Sequence, residues 1–160
     1  MKARRDLVGF QRRLVERLDA AATRRIEHAH LALDSAGEGW LVELADAREL
    51  IPVSPLTEVP TAQPWFRGVA GVRGELLGVV DFAAYRGREP TPLRLESRML
   101  IPHARFGVNC ALLFGRSLGL KDVRGYDRDA DDLIDETGRR WHVLQPAGLL
   151  AEPRFLDIAA

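Results

Sequence analysis

Between Pro64 and Asp81 the chain runs PWFRGVAGVRGELLGVVD, two apolar segments hinged on Arg73-Gly74-Glu75. Phe66–Val72 and Leu76–Val80 are the right length for a pair of strands. The tight turn between them needs a residue that tolerates positive φ, which Gly74 supplies. Gly68, Gly71 and Gly78 fall inside the strands. There a glycine weakens pairing unless it marks a bulge, a corner or a close approach of another backbone. Three in one hairpin restrict the chain to a small, strongly coiled β-barrel, and they put Arg73 on the tip of a rigid mount.

The segments before the hairpin fit that picture. Residues 28–34 alternate His28, His30, Ala32 and Asp34 with Ala29, Leu31 and Leu33, which predicts a strand. Ser35–Gly39 turns it and Trp40–Leu44 returns. Ala45–Ile51 is expected as a bend with an apolar edge, and Pro52, Pro55 and Pro60 then allow only extended, edge-like structure. Beyond the hairpin, Phe82–Tyr85 predicts a short turn or helix, and the charged stretch Arg86–Arg94 marks a boundary between two half-domains. Arg98–Pro102, Val108–Phe114 and Leu118–Tyr126 are further strand regions. Arg140–Leu144 is another, and Pro146 opens a short helix through Leu150. The expectation is a mainly β protein of two small SH3-like barrels packed together, the first over about 28–86 and the second over about 95–145, within a domain spanning 25–160.

Ahead of them, residues 4 to about 22 have helical periodicity: Leu7, Phe10, Leu14, Leu18 and Ala21 recur at spacings of three and four. This N-terminal segment, 1–24, is expected as an amphipathic helix docked on the body through those residues. The competing destination is a membrane surface. Lys and Arg outnumber Asp and Glu eight to four in the first thirty residues, although the 160-residue chain carries 23 of each. Zero net charge argues against a general attraction to nucleic acid or anionic membrane. A single cysteine, Cys110, excludes an intramolecular disulfide and fits a reducing cytoplasm. No apolar run reaches bilayer length, so no direct membrane insertion is expected.

Residues able to do chemistry do not converge. His28-x-His30 places two imidazoles on one face of a strand, but a metal needs a third and usually a fourth ligand. Asp127, Asp129 and Asp131 have the spacing of a calcium loop. Asp132 then stands where the loop requires glycine and Gly138 where it requires glutamate, so a solvated, mobile loop is expected over 127–136. Ser54, Ser97 and Ser117 lack the Gly-x-Ser-x-Gly elbow, and Cys110 sits in an apolar strand where burial leaves a thiol inert. These residues predict no enzyme, no metal and no cofactor.

The hairpin PWFRGVAGVRGELLGVVDF resembles the signature hairpin of the CheW family, adaptors of bacterial chemosensory arrays. Arg73, Gly74 and Asp81 match its pattern, whereas Gly71 stands for the usual asparagine and Gly78 for the usual proline. Trp65 after the proline, the long N-terminal helix and the ending RRWHVLQPAGLL are most similar to the PilI branch, found in type IV pilus systems. The resemblance spans about residues 28–150. It implies a non-enzymatic cytoplasmic scaffold that binds the regulatory domain of a CheA-type histidine kinase and the cytoplasmic tip of a chemoreceptor, serving twitching motility. It further implies a partner-binding face made of Ala47, Glu49, Leu50, Val72, Arg73 and Gly74. A small-barrel nucleic-acid binder is the competing expectation, and it requires a basic groove with stacking aromatics.

Overall fold

A computed structural model describes residues 2–160; Met1, the first residue of the expected 1–24 helical segment, lies outside the described residues. The chain runs α1 (Lys2–His28), β1 (Ala29–Ser35), β2 (Glu38–Glu43), β3 (Ala47–Pro52), β4 (Leu56–Thr57), β5 (Phe66–Val72), β6 (Glu75–Asp81) and α2 (Phe82–Tyr85). It continues through β7 (Arg98–Pro102), β8 (Cys110–Phe114), β9 (Arg116–Asp122), β10 (Asp127–Asp129), β11 (Asp132–Ile134), β12 (Arg140–Val143), α3 (Pro146–Leu150) and α4 (Pro153–Leu156). The strands form two six-stranded sheets, ordered β10-β11-β12-β2-β1-β9 and β3-β7-β8-β6-β5-β4.

The inner strands are apolar on both faces because each face has its own core. Leu33, Val42, Val80, Leu100, Leu112 and Phe114 meet in a seam between the sheets, joined by Trp65, Tyr85 and Phe155. Their neighbours along the same strands point the other way. Val79, Met99, Ile101, Ala111 and Leu113 fill the interior of the second sheet with Ala70, Val72 and Leu77. Ala32 and Leu41 fill the interior of the first with Leu133 and Trp141. Two-sided burial explains why Cys110-Ala-Leu-Leu-Phe114 is an unbroken apolar run instead of an alternating one. The expected mainly β fold of two packed β units, with an N-terminal helix and short C-terminal helices, is what forms, each unit a six-stranded sheet.

The division of the chain between the sheets differs from the contiguous halves expected at 28–86 and 95–145. One sheet combines β1 and β2 with β9–β12; the other is built from the middle of the chain, β3–β8. Two parallel pairings close these arrangements, His142↔Trp40 between β12 and β2, and Gly78↔Cys110 between β6 and β8. Arg86–Arg94 is therefore no domain linker. The buried Thr91 anchors it: its amide and hydroxyl each donate to Asp81, at 2.8 Å.

Several local expectations also change. The helix runs through His28, so only His30 belongs to β1; it is buried, with Nδ1 3.3 Å from the His28 carbonyl oxygen. The bend at 45–51 is a 3-10 turn, Leu44–Asp46, followed by strand β3. The acidic stretch is the hairpin β10–β11 and not an irregular loop. Arg140 on β12 donates to Asp129 and Asp132 there, at 2.5 and 2.9 Å. The largest difference is α1. Leu7, Phe10, Leu14 and Leu18 are 58, 60, 46 and 61% exposed, so the helix does not dock through them. It meets the body at the Leu44–Asp46 turn.

Candidate partner-binding face

The β5–β6 hairpin closes with Arg73 and Gly74 both at positive φ, 49° and 80°, between the paired residues Val72 and Glu75. That is a two-residue turn whose twist matches the flanking strands. Gly74 adopts it freely; Arg73 is a long side chain held in the left-handed region, a conformation that costs of order 1 kcal/mol or more. At the root of the hairpin Gly68, at φ 120°, is wedged against β4. A Cβ there would lie 2.2 Å from the Thr57 carbonyl oxygen. The bulge between Phe66 and Gly68 follows from that approach.

The same root is fixed on β6 by Asp81, which is fully buried. One carboxylate oxygen accepts from the Ala84 amide at 3.2 Å, capping α2, and from the Thr91 hydroxyl at 2.8 Å. The other accepts from Arg67 Nη1 and from the Thr91 amide, both at 2.8 Å. Asp81 thus joins β5, β6, α2 and the 86–97 segment.

Opposite the tip runs β3, at the edge of its sheet. Its pairing with β7 slips between Ala47↔Pro102 and Glu49↔Ile101, leaving Arg48 as the extra residue of a bulge. The bulge lets Arg48 and Glu49 both reach the hairpin. Arg73 Nη1 lies 2.8 Å from Glu49 Oε2, Arg48 Nη1 lies 3.0 Å from Glu75 Oε2, and Arg48 Nε lies 3.8 Å from Glu49. The hydrogen bond that Arg48 donates to Glu75, together with the carboxylate charge, raises the Arg48 guanidinium pKa above its ordinary value. The start of β3 is held by Arg105, which donates to the Ala45 carbonyl at 2.7 Å and pairs with Asp46.

The expected face divides accordingly. Arg73 and Gly74 are exposed, the Arg73 side chain at 71%, while the Glu49 side chain is 15% exposed and lies beneath it. Ala47 and Leu50 are half-buried and pack on the seam core. Val72 is buried in the core of its own sheet, so its side chain cannot meet a partner. Sequence reasoning missed Arg48, Glu75 and Leu76, the last 72% exposed beside the turn. The Arg48-Glu49 pair opposite Arg73 and Glu75 was the available signal, but only the bulge turns both toward the tip.

The residues considered for chemistry stay apart. Among the described residues no group of three or more His, Cys, Asp or Glu side chains is placed to hold a metal ion. Ser97 is buried and bonded to the backbone of Pro92 and Arg94. Burial pushes the Cys110 thiol up to about 12. Asp135 is held well below the usual carboxylate range by hydrogen bonds from Thr137 and the Trp141 indole, a structural role.

The chain is similar to known proteins in sequence and in fold. The chain is 25% identical over 135 residues to Protein PilI of Pseudomonas aeruginosa, covering 77% of this chain and 75% of that one. Its fold superposes on the crystal structure of the scaffolding protein TtCheW from Thermoanaerobacter tengcongensis with a TM-score of 0.67. That match covers 82% of this chain and 97% of the other at 14% identity. Residues 30–124, from β1 through the hairpin and all of the second sheet to the end of β9, match the CheW-like domain, and the chain belongs to that family.

Proposed function

We propose that this CheW-like protein is a non-enzymatic adaptor that couples a chemoreceptor to a CheA-type histidine kinase, in an array serving type IV pilus twitching. Family membership and the likeness to PilI support the class. The observation that carries the site is Arg73. Glycine or asparagine would take its left-handed turn position with less strain, yet a long cation stands there, exposed on a hairpin fixed at root and flank. A strained, rigidly mounted arginine suits an interface anchor. The proposed face is Arg73 and Gly74 with Glu49 beneath them, flanked by Arg48, Glu75 and Leu76 and bounded by Ala47 and Leu50. Kinase and receptor are held in register by that face, and a receptor signal reaches the kinase through contacts that differ between its two states. The protein then works in the cytoplasm, recruited to membrane-attached arrays through its partners. The nucleic-acid alternative loses its tryptophans as a stacking surface, because Trp65 and Trp141 are 5% and 2% exposed and Trp40 is half-buried against Phe82 and His142.

The test separates an anchor from an internal strut. Arg73→Glu and Glu49→Arg each break the pair; at the exposed Arg73 end the cost is about 1 kcal/mol or less. The double exchange restores the pair with its polarity reversed. Titration calorimetry against the kinase regulatory domain and the receptor tip should show binding lost in Arg73→Glu and still lost in the double variant. Recovery of both fold and binding in the double variant would mean that the pair only braces the loops.

A further inference from the structure

The longest element of the protein has an apolar face that the body leaves uncovered. From Gln11 to Arg24 every side chain of α1 is exposed. Leu7, Val8, Phe10, Leu14, Val15 and Leu18 are all between 46 and 61% exposed. At 100° per residue these side chains, with Ala21 and Ala22, sweep an arc of roughly 160°, which within Leu7–Ala22 only Gln11 interrupts. An arc that wide exceeds the narrow two-residue-per-heptad seam of a paired coiled coil. Charge points to the occupant. The helix carries eight Lys and Arg against four Asp and Glu, leaving fifteen against nineteen for the rest of a chain that balances to zero. Arg13, Arg17 and Arg24 line one border of the arc, and Arg13 and Arg17 form a shallow groove with Phe10 and Leu14. Two such helices would repel each other, whereas an anionic surface attracts both the arginines and, through its acyl layer, the leucines.

We propose that α1 lies in the plane of an anionic lipid surface, with Phe10, Leu14 and Leu18 in the acyl boundary and Arg13, Arg17 and Arg24 at the headgroup phosphates. No helix among the described residues is long and apolar enough to cross a membrane, so the contact is interfacial. Docking on the body was the expectation that competed with a membrane surface for this helix, and the exposed face removes it. The proposal is independent of the adaptor reading, because it uses none of the hairpin residues.

Cosedimentation of the full chain with vesicles of phosphatidylcholine alone, and of phosphatidylcholine mixed with phosphatidylglycerol, tests it. The protein should pellet with the mixed vesicles, remain in solution with the neutral ones, and dissociate as salt is raised. Arg13→Glu with Arg17→Glu should lower the partition coefficient at least about tenfold, and Phe10→Asp with Leu14→Asp should abolish pelleting. A Phe10→Trp reporter should shift its emission to the blue only on anionic vesicles. Circular dichroism and melting should change little in the charge variants, because these side chains pack on nothing in the body. No pelleting, or equal pelleting with both vesicle types, overturns the proposal. So does a dimer in light scattering, or capture by the kinase or receptor fragments, that Phe10→Asp abolishes while vesicles are ignored.

Discussion

Replacing Asp81 should damage the fold far more than a single family-motif residue at a strand end would suggest. The carboxylate is fully buried and receives four hydrogen bonds, two on each oxygen. Asp81→Ala strands the Thr91 amide and hydroxyl, which are buried, and leaves Arg67, a quarter exposed, facing a void. A buried unsatisfied donor costs about 1–3 kcal/mol and loss of one member of a buried ion pair about 3–5 kcal/mol. Those figures overlap, and water reaches Arg67 in part, so about 3–5 kcal/mol in total is expected. That is a large fraction of a typical domain's stability and a fall of roughly 6–20 °C in Tm. Asp81→Asn discriminates sharply. Whichever way its amide is turned, the nitrogen faces two donors, because each carboxylate oxygen now accepts from two. Asn should therefore recover less than half of the loss despite its matching shape. Urea denaturation followed by circular dichroism measures both variants. A loss below about 1 kcal/mol for Asp81→Ala, or full recovery with Asn, refutes the assignment of Asp81 as the node that joins the hairpin to α2 and the 86–97 segment.

Two further outcomes follow from burial and backbone geometry. Cys110 is pushed up to about 12 by burial, and Tyr85 to about 12 by burial together with its bond to the Glu152 carboxylate. Both are neutral when folded and ionise more readily when unfolded. Their contribution to stability is therefore complete below about pH 9 and is lost as pH rises toward 12; urea midpoints between pH 8 and 11 should fall, and fall less in Cys110→Ala once its own cavity cost is subtracted at pH 8. Gly68→Ala should cost at least about 2 kcal/mol by thermal melting, since the new Cβ meets the Thr57 carbonyl at 2.2 Å and the residue sits at positive φ; a neutral result would mean that β4 yields freely.

Much of the local structure was legible because local structure is a matter of short-range period and turn chemistry. The hairpin ends, Phe66–Val72 and Glu75–Asp81, follow from the apolar runs and from a glycine at the turn. Arg98–Pro102 and Phe82–Tyr85 emerge where expected, and Trp65 and Trp141 are buried as their apolar neighbours imply. Arg73 on the tip was legible for the same reason. His28 was misplaced because the alternation beginning there is equally compatible with one more helical turn, and Thr23–His28 contains no breaker. The acidic hairpin was misread because its neutralising arginine, Arg140, comes from another strand.

What only the tertiary structure decided is which apolar face meets which. Residues 28–44 alternate identically whether they pair with the chain's middle or with its end. The choice of β9 and β12 as their neighbours is made by three cores that must fill together, and no window of sequence contains them. The bulge at Arg48, which turns one charge toward Glu75 and the next toward Arg73, depends on where β7 lies. The helix face shows the same division from the other side. Period and composition establish that Leu7, Phe10, Leu14 and Leu18 share a stripe, but whether the body covers it depends on the direction in which α1 leaves β1 past the Leu44–Asp46 turn. Amphipathicity is encoded residue by residue, whereas burial is a relation between surfaces far apart in the chain.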